Sequence, residues 1–355
     1  MIVVHHPDGK STDHSGDASG AIDEVFATTT PTWVDCTALT AEELNALASR
    51  LSLHPLAVED VAQGNQRPRV ARYEDHTFVI LHELPTKESD ADPKSLTPYG
   101  GRGADIYAFF GPKFFVTIHK DRSIMTEAAI ARWKASRDMQ KRGRLLQLYL
   151  VIDSVIDEYV ESLDGINDQV ADLEDIVISS AEQNGNAPRK SRRTRIERVG
   201  MVRHLLGLRR SLLDMRRSVS HTRDTVNVLL RQVESLSDED RQTGEASQRE
   251  CFAYYQDAYD HAMRIVDSLD TYRDLLSGVL DAHLAVTSNR LNEVVKVLTS
   301  VSIILMSLGL VTGLYGMNFV YMPELHWKYG YGYAIGLMAL VTITQWLYFR
   351  RKRWI

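Results

Sequence analysis

The residues of this chain that could do chemistry are polar groups set in apolar surroundings. The stretch GLYGMNFVYMPEL, Gly313–Leu325, joins two long apolar runs. A loop that only reverses the chain has no use for an asparagine, a tyrosine, a Met-Pro-Glu and two glycines in so short a span. Stepping back from it by alternating fours and threes, the helix-type sequence reads Asp281, Ala285, Ser288, Asn292, Val295, Thr299, Ser302, Met306, Gly309 and Gly313. That is a heptad seam, and small and polar side chains fill it. Leu298, Ile303, Ile304, Leu305 and Leu308 fall on other faces. Two readings of the seam stay open. One is close helix packing through small residues. The other is a water-filled bore in a ring of identical helices, where Asp281 would become a crown of carboxylates that attracts cations. Asn318 has an ordinary reading too, as a helix C-cap.

The remaining candidates point to cation handling rather than bond making. Asp153 to Asp175 holds nine acids and no Lys or Arg, and Arg189 to Arg217 holds eleven basic residues against Glu197 and Asp214. Two long antiparallel helices with solvated faces of opposite charge are the economical reading. As a block, the carboxylates could also hold divalent ions loosely, since hard cations favour oxygen ligands. No HExxH, CxxC, Walker or GxGxxG pattern occurs in a usable context, so nothing argues for an enzyme. The formal net charge of -6 argues against nucleic acid as a partner. Cys36 and Cys251 lie far apart in no metal-ligand spacing, which suits a reducing compartment. The N-terminus turns polar after four residues and is not read as a secretory signal.

These groups need elements to hold them. Val297–Met317 carries no charged side chain in 21 residues, and Tyr329–Phe349 is a second run of 21. About 20 apolar residues span a bilayer as a helix. Arg350, Arg351, Lys352 and Arg353 follow the second run, and Arg290 and Lys296 precede the first. The positive-inside rule then places both termini in the cytoplasm and the loop outside. Trp327, Tyr329, Tyr331 and Tyr333 suit the outer interface; Trp346, Tyr348 and Trp354 suit the inner one. From about Gln248 to Tyr315 there is no proline, and the spacing predicts one helix of roughly 100 Å at 1.5 Å per residue. Further back, His76–Leu84, Ala104–Gly111 and Lys113–Lys120 read as strands. Leu39–Leu53 reads as an amphipathic helix, with Thr40 and Glu43 as a capping box. From about Ser123 onward the pattern is helical.

The stretch YGMNF, Tyr315–Phe319, followed by MPEL, Met322–Leu325, resembles the CorA family of magnesium channels, whose signature is Gly-Met-Asn at the outer end of the first of two membrane helices. SLHPLAVEDV (Ser52–Val61), QRPRVARYEDHTFVIL (Gln66–Leu81), DAYDH (Asp257–His261), SNRLNEVVKVLT (Ser288–Thr299) and the tail RRKRWI extend the likeness from about residue 33. The resemblance implies an α/β N-terminal cytoplasmic domain, a long-helix stalk and two C-terminal transmembrane helices, assembled as a funnel-shaped homopentamer in contact with membrane lipids. Its expected division is a variable segment 1–32, the α/β domain 33–122 and a helical region 123–245. The stalk 246–296, the pore-lining span 297–317, the outer loop 318–328, the second span 329–349 and the basic tail 350–355 follow.

Residue by residue, the resemblance implies a selectivity filter at Gly316, Met317 and Asn318. It implies a bore lined by Gly313, Gly309, Met306, Ser302, Thr299, Leu298, Val295, Asn292 and Asp281, with Leu298 at the hydrophobic constriction. Asp257 would hold a regulatory metal between subunits, with Asp90 as its partner carboxylate and Glu88 the alternative. Leu291 stands where relatives carry threonine, and Val295 where they carry methionine, so gate energetics are expected to differ. The expected function is Mg²⁺ influx across the plasma or inner membrane, extending to Co²⁺ and Ni²⁺, with cytosolic Mg²⁺ as both cargo and regulator. A zinc transporter of the ZntB type and a non-conducting membrane-anchored metal sensor are the alternatives. Mg²⁺ gives up its water reluctantly. Five asparagine amides that accept hydrogen bonds from its hydration shell would suit a selective entrance that must also release the ion.

Overall fold

The computed structural model describes residues 1–28, 31–84, 104–141, 143–182, 193–240, 246–318, 322 and 327–354. The chain divides into two compact units: Met1–Leu173 with Lys190–Ser277, and Glu174–Arg189 with Gly278–Ile355.

The first unit opens with β1 (Ile2–His5), β2 (Ser11–Asp13), α1 (Ala18–Ala27) and β3 (Trp33–Thr37). Next come α2 (Ala41–Leu51), α3 (Pro55–Gln63), β4 (Arg69–Arg72), β5 (Thr77–His82), β6 (Asp105–Phe110) and β7 (Phe115–His119). The strands form one mixed sheet in the order β2-β1-β3-β7-β6-β5-β4. Among the described residues only β3 and β7 pair in parallel. β5 is buried at all six positions, which explains its unbroken apolar sequence: a central strand covered on both faces shows no alternation. The N-terminal residues, too short an apolar run to read as an element, form β1 and pair with both β2 and β3. Gly111 turns β6 into β7; a Cβ there would stand 2.7 Å from the Phe114 ring, so only glycine fits without repacking.

One sheet face packs against α1, α2 and α3 through Ile22, Leu47, Ala57, Phe78 and Phe109. The capping box of α2 is present: Glu43 N–H donates to Thr40 Oγ1 at 3.2 Å, and Thr40 N–H to Glu43 Oε2 at 2.8 Å. The helices α4 (Ile124–Ala135) and α5 (Arg137–Lys141) come after the sheet. Trp33 in β3 is fully buried, donates to Thr117 Oγ1 at 2.9 Å, and sits edge-on to Phe115 and to Trp133 of α4.

Three long helices follow: α6 (Arg144–Glu182), α7 (Arg193–Asp240) and α8 (Ala246–Tyr315). The acidic sequence thus falls on α6, and the described part of the basic one, from Arg193, on α7. Their apolar residues recur at helical spacing and are buried, as at Ile152, Ile156, Tyr159 and Leu163 in α6 and Leu208, Leu212, Met215 and Val219 in α7. Most of the described charges lie on the remaining faces, whereas Asp153 is buried and Glu158 half-buried. Arg216 of α7 grips Asp270 of α8 in a two-pronged pair at 2.8 and 3.1 Å. Tyr255 of α8 donates to the Leu145 carbonyl of α6 at 2.8 Å.

The second unit holds the C-terminal part of α8 and α9 (Gly330–Arg351). Their most apolar windows reach mean hydropathies of 2.2 and 1.3, and only 6% of each is buried. Apolar helices left this bare are not the core of a soluble fold; with their length they are membrane spans.

Candidate functional site

Within the second unit, α8 rests on α9 along one side. Ser300 is buried, and Ile304, Ser307, Leu308, Val311 and Tyr315 are half-covered. The matching face of α9 is Ala334, Leu337, Met338, Val341, Gln345 and Phe349. At about 100° per residue, Thr299, Ser302, Met306, Gly309 and Gly313 cluster on the opposite side of α8, and all are exposed. Met306 is 75% exposed. A Cβ built on Gly309 or Gly313 would meet nothing within 4 Å. The small residues of the seam are therefore not there to let α9 of the same chain approach. Toward the N-terminal end, every residue from Thr287 to Thr299 is exposed, including Asn292, Val295 at 50% and Leu298 at 65%. Asp281 is exposed one turn before Ala285.

The helix stops at Tyr315. Gly316 N–H still reaches the Thr312 carbonyl at 2.9 Å, and Met317 N–H reaches Leu314 at 3.4 Å, a tightening of the last turn. Gly316 does not adopt a left-handed backbone. A Cβ there would stand 3.0 Å from the Thr312 carbonyl oxygen, a tight contact. Asn318 lies beyond the cap position and is exposed, as are Gly316 and Met317.

Asp257 is exposed on α8 in the first unit, with His261 one turn on at 3.6 Å. Asp153 and Asp157 on α6 are engaged by Arg132 at 2.7 and 3.7 Å. Among the described residues no three His, Cys, Asp or Glu side chains converge on a metal position. Asp257 offers a hard oxygen of the kind Mg²⁺ takes, but it needs a second carboxylate from elsewhere. Asp90 and Glu88 lie outside the described residues.

Sequence reasoning missed the joint where β5 meets α6. Tyr159 donates to the His82 carbonyl at 3.3 Å, and Leu84 N–H donates to Glu158 Oε2 at 3.2 Å. Burial pushes the Glu158 carboxyl up to about 7. Glu83 beside it is also raised by burial and accepts from Ser123. A cleft of about 610 Å³ opens at the carboxyl ends of β3, β5 and β7, lined by Thr40, Asn65, Glu83, Asp105, His119 and Arg122. His82–Asp105 and His119–Asp35 pair there, each at 2.9 Å. No local motif marks these groups, because each pair joins different strands.

Fold and exposed seam together define a membrane protein in which an α/β unit and long helices precede two C-terminal spans. The chain belongs to the family described as CorA-like Mg²⁺ transporter protein, whose model matches residues 29–351. It is 30% identical over 337 residues to the cobalt/magnesium transport protein CorA of Thermotoga maritima, spanning 92% of this chain and 84% of that protein. The complete structure of the CorA magnesium transporter from Methanocaldococcus jannaschii superposes with a TM-score of 0.73 at 21% identity, covering 100% of this chain and 99% of that one. The cytoplasmic domain of ZntB from Vibrio parahaemolyticus matches in fold at a TM-score of 0.55 and 12% identity, over 82% of this chain and 97% of that one.

Proposed function

We propose that this chain is a Mg²⁺ channel that also passes Co²⁺ and Ni²⁺, and not an enzyme. The observation that carries the reading is the seam from Thr299 to Gly313, which faces away from α9 and ends at Gly316-Met317-Asn318. Small and polar side chains on the bare side of a membrane helix must meet either a second copy or water. The exposed apolar residues Leu291 and Val294, just before the span, favour a ring of copies, because a single chain leaves them in water. The homopentamer of the family supplies five such helices. In that ring Asn318 is the outer filter. Val295 and Leu298 narrow the bore. Asn292 and Asp281 draw the ion out on the cytoplasmic side.

Regulation follows from linkage. Mg²⁺ held by Asp257 with Asp90 of a neighbouring copy, or Glu88 in its place, stabilises the closed ring, and its loss favours opening. Both termini lie in the cytoplasm beneath the plasma or inner membrane, and the inside-negative potential drives a divalent ion inward with about 4.6 kcal/mol per 100 mV.

Reconstitution into liposomes tests the reading. Mg²⁺ entry is expected at low internal Mg²⁺, with slowing as internal Mg²⁺ rises. Zn²⁺ entry driven by a proton gradient would favour a ZntB-type transporter, and the absence of any flux would leave a metal sensor.

A further inference from the structure

Gln345 is a polar side chain inside the apolar run Tyr329–Phe349, and Ser307 is one inside Val297–Met317. The two meet. Gln345 Nε2 donates to Ser307 Oγ at 2.7 Å, and the Ser307 hydroxyl donates to the Ile303 carbonyl at 2.8 Å. A hydroxyl has one proton and two acceptor sites. Its proton is committed to its own helix, so it receives the amide N–H. Gln345 Oε1 is buried with no partner among the described residues. An unpaired carbonyl in an apolar setting has a cost, which offsets part of what the bond contributes. The pair is therefore poor glue, and leucine at 345 would hold the spans together as well.

We propose that the Gln345–Ser307 bond is a rotational latch: it sets the angle at which α8 presents Ser302, Met306 and Gly309 to the ion path. Ser307 follows Met306 directly, about 100° around the helix, on the side that rests against α9. A helix rotation of about 30° moves a side-chain oxygen by about 2 Å, more than a 2.7 Å hydrogen bond tolerates. The bond thus holds at one rotational setting and is lost at another. Its small net energy suits a contact that is made and broken in each cycle, since a bistable element must lie within reach of its ligand's bias. The latch rests on the seam being the ion path, and the two ideas fail differently.

The test uses full-length protein in liposomes with single cysteines at Ser302, Met306 and Gly313 on the seam and at Ile303, Leu305 and Leu310 off it. A water-soluble methanethiosulfonate reports access, and the parent protein, whose Cys36 and Cys251 are buried, supplies the background. Seam positions are expected to react and the others not. With Gln345→Leu, Met306→Cys should lose about threefold in relative reactivity while Leu305→Cys gains. That ratio corresponds to the ~0.6 kcal/mol typical of a bond between membrane helices. Ser307→Ala should reproduce the change, and the double variant should add nothing. An unaltered access pattern in both single variants, with wild-type dependence of flux on internal Mg²⁺, overturns the latch even if thermal stability falls. Equal labelling on and off the seam in the parent rejects the ion path itself, and the latch with it.

Discussion

Asn318 stands exposed beyond the last turn of α8, past the position a capping residue takes. Its side chain is therefore available to something outside its own helix. Asn318→Ala should bring Mg²⁺ entry into liposomes down to the level of protein-free vesicles while the protein keeps the elution volume of wild type; wild-type entry would refute the filter role. Glu158 makes a prediction of a different kind. Its carboxyl is raised by burial from 4.5 to about 7, so the fold favours the neutral form. That contribution is whole below about pH 4.5 and lost as pH rises through about 7. Glutamine keeps the neutral form and can still accept from Leu84. Glu158→Gln should match wild type in thermal midpoint near pH 5 and exceed it by about 2–4 °C near pH 8. A difference that does not change with pH would show that the carboxyl is not shifted.

At the scale of elements, the sheet is held by side chains from segments far apart in sequence. Trp33 of β3 touches Phe115 of β7 and Trp133 of α4, and its indole N–H is paired with Thr117. Trp33→Ala should cost about 3–5 kcal/mol, read as a lower denaturation midpoint of the full-length protein in detergent, with the spans still inserted. The strands from His76 to Lys120 were legible because aromatic and β-branched residues cluster there between turn signals. The N-terminal strands were not. β2 is exposed at all three positions, and such a strand carries no apolar pattern to read.

For the whole molecule, the question is what Mg²⁺ binds. If Asp257 shares an ion with a neighbouring copy, Mg²⁺ stabilises the assembly by mass action, about 2.7 kcal/mol at one hundred times the dissociation constant. Millimolar Mg²⁺ should raise the thermal midpoint of wild type and protect it from protease. In Asp257→Lys both effects should vanish, and inhibition of flux by internal Mg²⁺ should weaken with them. Unchanged inhibition in the variant removes Asp257 from regulation.

The sequence by itself determined the two spans, the long helix, the seam and the Gly-Met-Asn that ends the first span. Each is written locally: span length in unbroken apolar runs, helix face in a period of 3.6, chain end in a glycine and an asparagine. Only the tertiary structure decided which side of α8 meets α9. The seam is equally polar whether it packs on a neighbour or lines water. The covered residues Ser300, Ile304 and Ser307 on the far side show that the seam does not pack on α9 of its own chain. The same holds for Gln345 and Ser307, two ordinary polar residues 38 positions apart, and for Glu158, whose shifted carboxyl comes from burial beneath β5. Contacts between distant segments leave no periodic trace along the chain, because each partner meets only its own local pattern until folding brings them together.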